Sequence, residues 1–307
     1  MSTLRSSLAD HLATRRALGY KLERAEKLLG QFLAHLEARG AKTITIQEAV
    51  AWAKLPGGSA NWISSRLSVV RGFATYLNTI DPAHEVPPAE LVPSRSRRAT
   101  PYVYSGDEIT ALIHAAGILR TAHRRATYRT LIGLLSVTGM RIGEMIALDR
   151  RNIDSRACLI RVHGAKFGKS RELPLDPSVT TALHRYLRRR DRPPQAVGCD
   201  AAFVSTAGTR VLYCNVQLTF SQLLARVGIE PRSPECRPRL HDLRHTFAVN
   251  TILDAYRDGL EVEARLALLS TYLGHVDPAR TYWYLSATPE LMALAADRLE
   301  RYLGGPR

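Results

Sequence analysis

His241-Asp242-Leu243-Arg244-His245 is the stretch on which the reading of this chain turns. On a helix, positions i, i+3 and i+4 share a face, so His241, Arg244 and His245 are expected to project together as a set of donors suited to an anion. Two histidines at i and i+4 also suit zinc. A metalloprotease, however, needs glutamate directly after the first histidine, and here Asp242 stands there while Arg244 would repel a cation. An anion site without metal is the expectation.

Upstream, Thr138-Gly139-Met140-Arg141-Ile142-Gly143-Glu144 sets an arginine just after a glycine that can end one helix and near the start of the next, where N–H groups favour anions. Arg141 could serve a phosphate there or pair with Glu144 one turn on; the heptapeptide allows both. Between the two motifs, Cys158 to Val162 and Arg171 to Leu175 read as short strands flanking the glycine-containing segment Gly164 to Ser170, a hairpin. Downstream, Leu273-Gly274-His275 is followed by Thr281-Tyr282-Trp283-Tyr284, which puts a tyrosine nine residues after the histidine.

This ordered set, T-G-x-R-x-x-E, a hairpin lysine, H-x-L-R-H, and L-G-H with its tyrosine, resembles the tyrosine recombinase and phage integrase family over roughly residues 102 to 300. The resemblance implies Arg141 and Arg244 as phosphate-clamping arginines, His241 and His275 as supporting histidines, Lys166 as the hairpin lysine and Tyr284 as the nucleophile. Glu144 would support the first arginine, and His245 stands beside the site. Lys166, Lys169 and Arg171 match a K-x-x-K-x-R pattern in which the first lysine is catalytic, leaving Lys169 and Arg171 for DNA contact. Lys169 and Tyr282 are the competing choices for general acid and nucleophile.

The activity so implied is site-specific cutting and rejoining of double-stranded DNA through a 3′-phosphotyrosyl link, integrating or transposing a mobile element. It is expected to run in a tetramer on paired sites, with room for accessory recombinases and with no cofactor. Two other readings are a type IB topoisomerase, which uses a similar residue set, and a non-catalytic DNA-binding regulator of the same fold.

The chemistry explains the residue types. Transesterification at phosphorus builds charge on the nonbridging oxygens, and preorganised donors aimed there are worth about 2.7–4 kcal/mol each. Arginine grips two oxygens at once, as lysine cannot. A phenol with an ordinary pKa of about 10 needs a positive environment to attack. The departing 5′ oxygen needs a proton, which a lysine with neighbouring cations can supply. The chain has no P-loop lysine motif and no carboxylate cluster suited to two-metal chemistry.

Composition agrees with a polyanionic partner: 43 Lys and Arg against 28 Asp and Glu leave a formal charge of +15. The N-terminus has no apolar h-region and no apolar run approaches the roughly 18 residues that span a bilayer, so a cytoplasmic protein, nucleoid-associated when bound to DNA, is expected. Cys158, Cys199, Cys214 and Cys236 form no C-x-x-C pair, which speaks for reduced packing residues.

A length of 307 residues predicts two domains. The fold expected is mainly α with a small β-hairpin: an N-terminal helical bundle over 1–92, a basic linker over 93–101, and an α+β catalytic domain over 102–307; the family resemblance implies that the bundle binds the DNA core site and that the two domains form a clamp around DNA. Ala25, Leu28, Leu29, Phe32, Leu33 and Leu36 form one helical stripe, and Ile63, Leu67, Val70, Ala74 and Leu77 another, with Arg66 and Arg71 off it. Thr45 to Glu48 and Ser105 to Glu108 are capping boxes. Prolines from Pro82 to Pro101 surround Arg95, Arg97 and Arg98, which are expected on DNA phosphates. Further helices are expected over 177–190, 215–227 and 241–258, with a terminal one opening at Thr288. Leu291, Leu294, Leu299 and Leu303 of that last helix are expected to dock on a neighbouring subunit.

Overall fold

The computed structural model describes residues 3–92, 100–163, 170–275, 277, 279–286 and 289–304. Arg95, Arg97, Arg98, Lys166 and Lys169 lie outside the described residues. The chain divides into two compact units, Met1–Arg98 and Ala99–Arg307.

The first unit is built from α1 (Thr3–Ala17), α2 (Glu23–Ala38), α3 (Ile46–Lys54) and α4 (Ala60–Asn78). Leu28, Leu29, Phe32, Leu33 and Leu36 of α2 pack against Leu67, Val70, Phe73, Ala74 and Leu77 of α4, with Trp52 and the α1 leucines closing the core. Thr45 caps α3 by accepting from the Glu48 N–H at 3.2 Å, but the Glu48 carboxylate turns to His35 and Arg39, so only half of that capping box forms. Arg66, expected off the apolar stripe, is buried instead. Its guanidinium lies 3.7 Å from the Trp52 ring centroid and donates to the Trp52 carbonyl, so the cation is held by a π face and a carbonyl. Arg71 donates to the carbonyls of Pro87 and Pro88, and Val86 and Val92 pack on the same core. The proline-rich stretch therefore stays on the bundle as far as residue 92.

The second unit contains α5 (Gly106–Ala115), α6 (Ala122–Thr138), α7 (Ile142–Ala147), α8 (Pro177–Leu187), α9 (Tyr213–Val227), α10 (Asp242–Arg257), α11 (Val262–Leu273), α12 (Ala279–Tyr282) and α13 (Pro289–Tyr302). Its antiparallel sheet has the order β1 (Ile153–Asp154), β2 (Leu159–Val162), β3 (Arg171–Pro174), with Ile160 opposite Leu173 and Val162 opposite Arg171. Ser105 forms a complete capping box with Glu108 at the start of α5. One apolar cluster spans α5, α6, α8, α9 and the sheet, and a second joins α10, α11, Tyr284 and the start of α13.

Gly139 ends α6 with φ 56°, the left-handed region open to glycine. A Cβ there would meet the Phe247 ring of α10 at 2.5 Å and Leu273 at 3.1 Å, so the glycine also permits the close meeting of α6, α10 and α11. The leucine stripe of α13 splits: Leu291 and Leu294 pack into the second cluster, while Leu299 and Leu303 are 57% and 71% exposed. Half of the helix thus packs on its own unit, and only the outer half is left to meet anything else.

Candidate active site

The site is organised around the C-terminal end of α11. A helix ends with carbonyls that lack intrahelical partners and with the negative pole of its dipole, so it attracts cationic donors. Here consecutive carbonyls are taken by arginines from different elements: Tyr272 O by Arg171 Nε at 2.9 Å, Leu273 O by Arg244 Nη2 at 2.8 Å, and Gly274 O by Arg141 Nη2 at 3.2 Å. Arg244 also donates from Nη1 to Gly139 O at 2.7 Å, which ties the ends of α6 and α11 together. Arg244 is only 3% exposed. Burial, followed by the neighbouring Arg141, lowers its pKa to about 10, which still leaves it charged at neutral pH.

Glu144 locks two of these arginines. Arg171 reaches it in bidentate fashion, Nη1 to Oε1 at 3.0 Å and Nη2 to Oε2 at 2.8 Å, and Arg141 adds Nη1 to Oε1 at 2.8 Å. Burial alone would raise the Glu144 carboxyl, but the bonds from Arg171 and from the Arg141 backbone outweigh it and hold the pKa at about 2. The bland pairing of Arg141 with Glu144 and the placement of Arg141 at the helix junction are therefore both present.

Glu144 Oε2 accepts the Arg141 backbone N–H at 3.0 Å and so caps the start of α7. One expectation is corrected. Arg171, expected on DNA, faces inward: its side chain is 12% exposed and committed to Glu144 and Tyr272, because its position opposite Val162 points it at the end of α11.

The histidines gather on the other side of Arg244. His241 is the N-cap of α10 and keeps an exposed edge. Burial of the rest of its ring, with Arg244, Arg239 and Arg141 nearby, pushes its pKa down to about 4, so it is neutral at pH 7. Its ring meets that of His245 at 4.9 Å, and His245 lies 5.4 Å from the Tyr284 ring. His275 Nε2 is 3.0 Å from Arg244 Nη2, its Nδ1 is 2.7 Å from Thr281 Oγ1, and its ring stacks 6.2 Å from that of Tyr284. Tyr284, in the short 3-10 turn Trp283–Ser286, is 3% exposed and close enough to Arg244 to interact electrostatically, whereas Tyr282 is 56% exposed.

The structure thus brings Arg141, Glu144, His241, Arg244, His245, His275 and Tyr284 together. Arg171 joins them, although the sequence pointed it elsewhere. Among the described residues, no group of three His, Cys, Asp or Glu side chains is placed to hold a metal ion. The sequence reading missed α11 altogether, and with it the carbonyls that hold the arginines. Val262, Leu266, Leu269 and Leu273 at helical spacing, followed by Gly274, carried the signal.

The Phage integrase family model matches residues 103–290, more than half of the chain. This chain belongs to the phage integrase family. The integrase is 40% identical over 309 residues to "Putative integrase/recombinase y4rB" of Sinorhizobium fredii, covering 98% of each chain. It is 29% identical over 296 residues to the tyrosine recombinase XerC of Azotobacter vinelandii, covering 94% of this chain and 93% of that one. Its fold is similar to that of the Tn1549 transposon integrase solved with a circular intermediate DNA, with TM-score 0.64 at 17% identity, over 98% of this chain and 100% of the other. The family is one of tyrosine-type DNA strand transferases, and this integrase is an enzyme of that kind.

Proposed function

We propose that the protein is a site-specific recombinase that opens a DNA strand by attack of the Tyr284 oxygen on a phosphodiester. The single observation that carries the assignment of residues is the gathering of Arg141 from the start of α7, His241 and Arg244 from α10, and His275 from the end of α11 in the surroundings of Tyr284. As the Tyr284 O–P bond forms, the P–O5′ bond breaks. The products are a 3′-phosphotyrosyl link and a free 5′-hydroxyl. Attack by another strand's 5′-hydroxyl reverses the step and needs no external energy source, because the link conserves the bond.

In this scheme Arg141 and Arg244 stabilise charge on the nonbridging oxygens. Glu144 and Arg171 hold Arg141 and the hairpin strand β3 in register with the end of α11. His241, neutral at pH 7, takes part as a hydrogen-bond partner and not as a permanent cation. Lys166 is proposed as the acid for the 5′ oxygen. It lies outside the described residues, but the strand end at Arg171 is anchored at the site through Glu144.

The substrate is double-stranded DNA, with Arg95, Arg97, Arg98 and Lys169 on phosphates. Exchange between two sites is assigned to a tetramer that moves a mobile element, with accessory recombinases compatible with the reading, in the cytoplasm. The integrase and recombinase names of its relatives favour strand exchange over relaxation by a topoisomerase or silent DNA binding.

The test is to stop the protein on fragmented genomic DNA with denaturant and sequence what remains attached. Recovery of one recurrent site carrying a free 5′-hydroxyl is the expected result. Adducts scattered without sequence preference, or relaxation of plasmid without exchange, would favour the topoisomerase; no adduct would favour the regulator.

A further inference from the structure

The hydrogen bonds of His275 have directions that can be read. A guanidinium only donates, so Nε2, 3.0 Å from Arg244 Nη2, is the acceptor. The proton of the neutral ring then sits on Nδ1 and is donated to Thr281 Oγ1 at 2.7 Å. Thr281 is buried, in α12, three residues before Tyr284. Arg244 meanwhile has both Nη2 hydrogens engaged, by Leu273 O and His275, and one Nη1 hydrogen engaged by Gly139 O. Its Nε hydrogen and second Nη1 hydrogen carry no bond among the described residues, but as long as Nη2 donates to His275, Nε2 of that ring cannot itself donate to a phosphate oxygen. Of the three partners of Arg244, the two carbonyls belong to helix ends fixed in the core, so His275 is the one from which it can turn away.

A carboxylate or carbonyl in the place of Thr281 would only accept and would hold His275 in one tautomer. A hydroxyl both accepts and donates. We propose that Thr281 is a positioning residue that lets His275 exchange tautomers as Arg244 turns to the scissile phosphate. With the proton on Nδ1, His275 receives Arg244. With the proton on Nε2, and the Thr281 hydroxyl donating to Nδ1, it becomes a donor to a phosphate oxygen. The exchange passes through solvent: one proton is gained at Nε2 and one lost at Nδ1, and the ring stays neutral. This inference rests on the assignment of His275 to the phosphate site.

The experiment compares Thr281→Val, Thr281→Ser and His275→Ala in the full chain, on duplex DNA carrying the site recovered covalently from the wild type. Thr281→Val keeps the shape and removes the hydroxyl, so its adduct-forming rate at saturating DNA should fall about tenfold or more while DNA affinity and melting temperature hold. Thr281→Ser should restore the rate to within about threefold. Nitrogen-15 spectra of labelled histidine should show His275 protonated at Nδ1 in both free proteins, where Arg244 donates to Nε2, and the proton moved to Nε2 on DNA binding in the wild type but not in Thr281→Val. A Thr281→Val protein that cleaves at the wild-type rate overturns the proposal, as does Thr281→Ser as slow as Thr281→Val, since the methyl group would then be what matters. If His275→Ala itself cleaves normally, the assignment of His275 fails, a separate outcome from a Thr281 failure in which His275→Ala remains slow.

Discussion

In the N-terminal unit the ion pairs Arg5–Glu37 and Arg16–Glu26 lie in solvent over an apolar core, while in the second unit Glu144 and Arg171 pair with side chains only 9% and 12% exposed. Exposed pairs contribute about 0–1 kcal/mol each. Removing one member of a buried pair leaves the other charge uncompensated and costs about 3–5 kcal/mol. Those two bundle pairs can therefore be exchanged with little effect, and the Glu144–Arg171 pair cannot. The charged groups of the second unit are aligned on helix ends, where they must be in position before a phosphate arrives, and such preorganisation is what stabilises a transition state.

The largest break in this contrast should come from Glu144→Ala, which strands Arg141 and Arg171 and is expected to lower the stability of the second unit by about 3–5 kcal/mol in denaturant titration. Arg5→Ala should leave the unfolding midpoint nearly unchanged in the same assay. Equal losses would mean that burial does not separate the two kinds of pair.

Within α13 the contrast recurs at shorter range. Leu291→Ala empties a place in the cluster that holds Tyr284 and should cost about 2–5 kcal/mol. Leu299→Glu with Leu303→Glu, on exposed positions, should leave melting and adduct formation intact and impair only the joining of two sites. Normal exchange between two sites by that double variant would remove the outer half of α13 from assembly.

Acid should weaken the second unit through Glu144 and His241. The Glu144 carboxyl, at about 2 against an ordinary 4.5, contributes stability that is complete above 4.5 and is lost as pH falls toward 2. His241, at about 4 against 6.5, contributes stability that is present above 6.5 and lost as pH falls through 4. Glu144→Gln should therefore flatten the dependence of stability on pH below about 4.5 and leave the limb between 4 and 6.5 in place. An unchanged acid limb would show that Glu144 is not the group being protonated.

The smallest effect is expected in the linker, where replacing Arg95, Arg97 and Arg98 by alanine should reduce the slope of log affinity against log salt by about one unit per lost phosphate contact. An unchanged slope would take those arginines off the DNA.

Much of this was legible in the sequence where the signal is local. The stripes of α2 and α4, the capping box at Ser105 and the glycine stop at Gly139 all depend on neighbours within a turn or two. What stayed hidden depends on distant partners. Arg171 reads as one more basic residue of a hairpin, and nothing near it shows that Glu144, 27 positions away, takes its guanidinium. Arg66 reads as surface because the Trp52 ring and carbonyl that hold it lie on another helix. The motifs identified Arg141, Arg244 and His275, but not the row of α11 carbonyls that orients two of them, since backbone acceptors leave no mark on residue identity.

Spacing from His275 selects Tyr284 over Tyr282, and the structure sets the first among His245, His275 and Arg244 and the second in solvent. The direct measurement is to digest the trapped protein–DNA adduct to a peptide bearing a single nucleotide and locate the modified tyrosine by fragmentation, alongside Tyr284→Phe and Tyr282→Phe. The predicted result is a nucleotide on Tyr284, no adduct from Tyr284→Phe and an undiminished adduct from Tyr282→Phe. A nucleotide on Tyr282, or an adduct that survives in Tyr284→Phe, would contradict it.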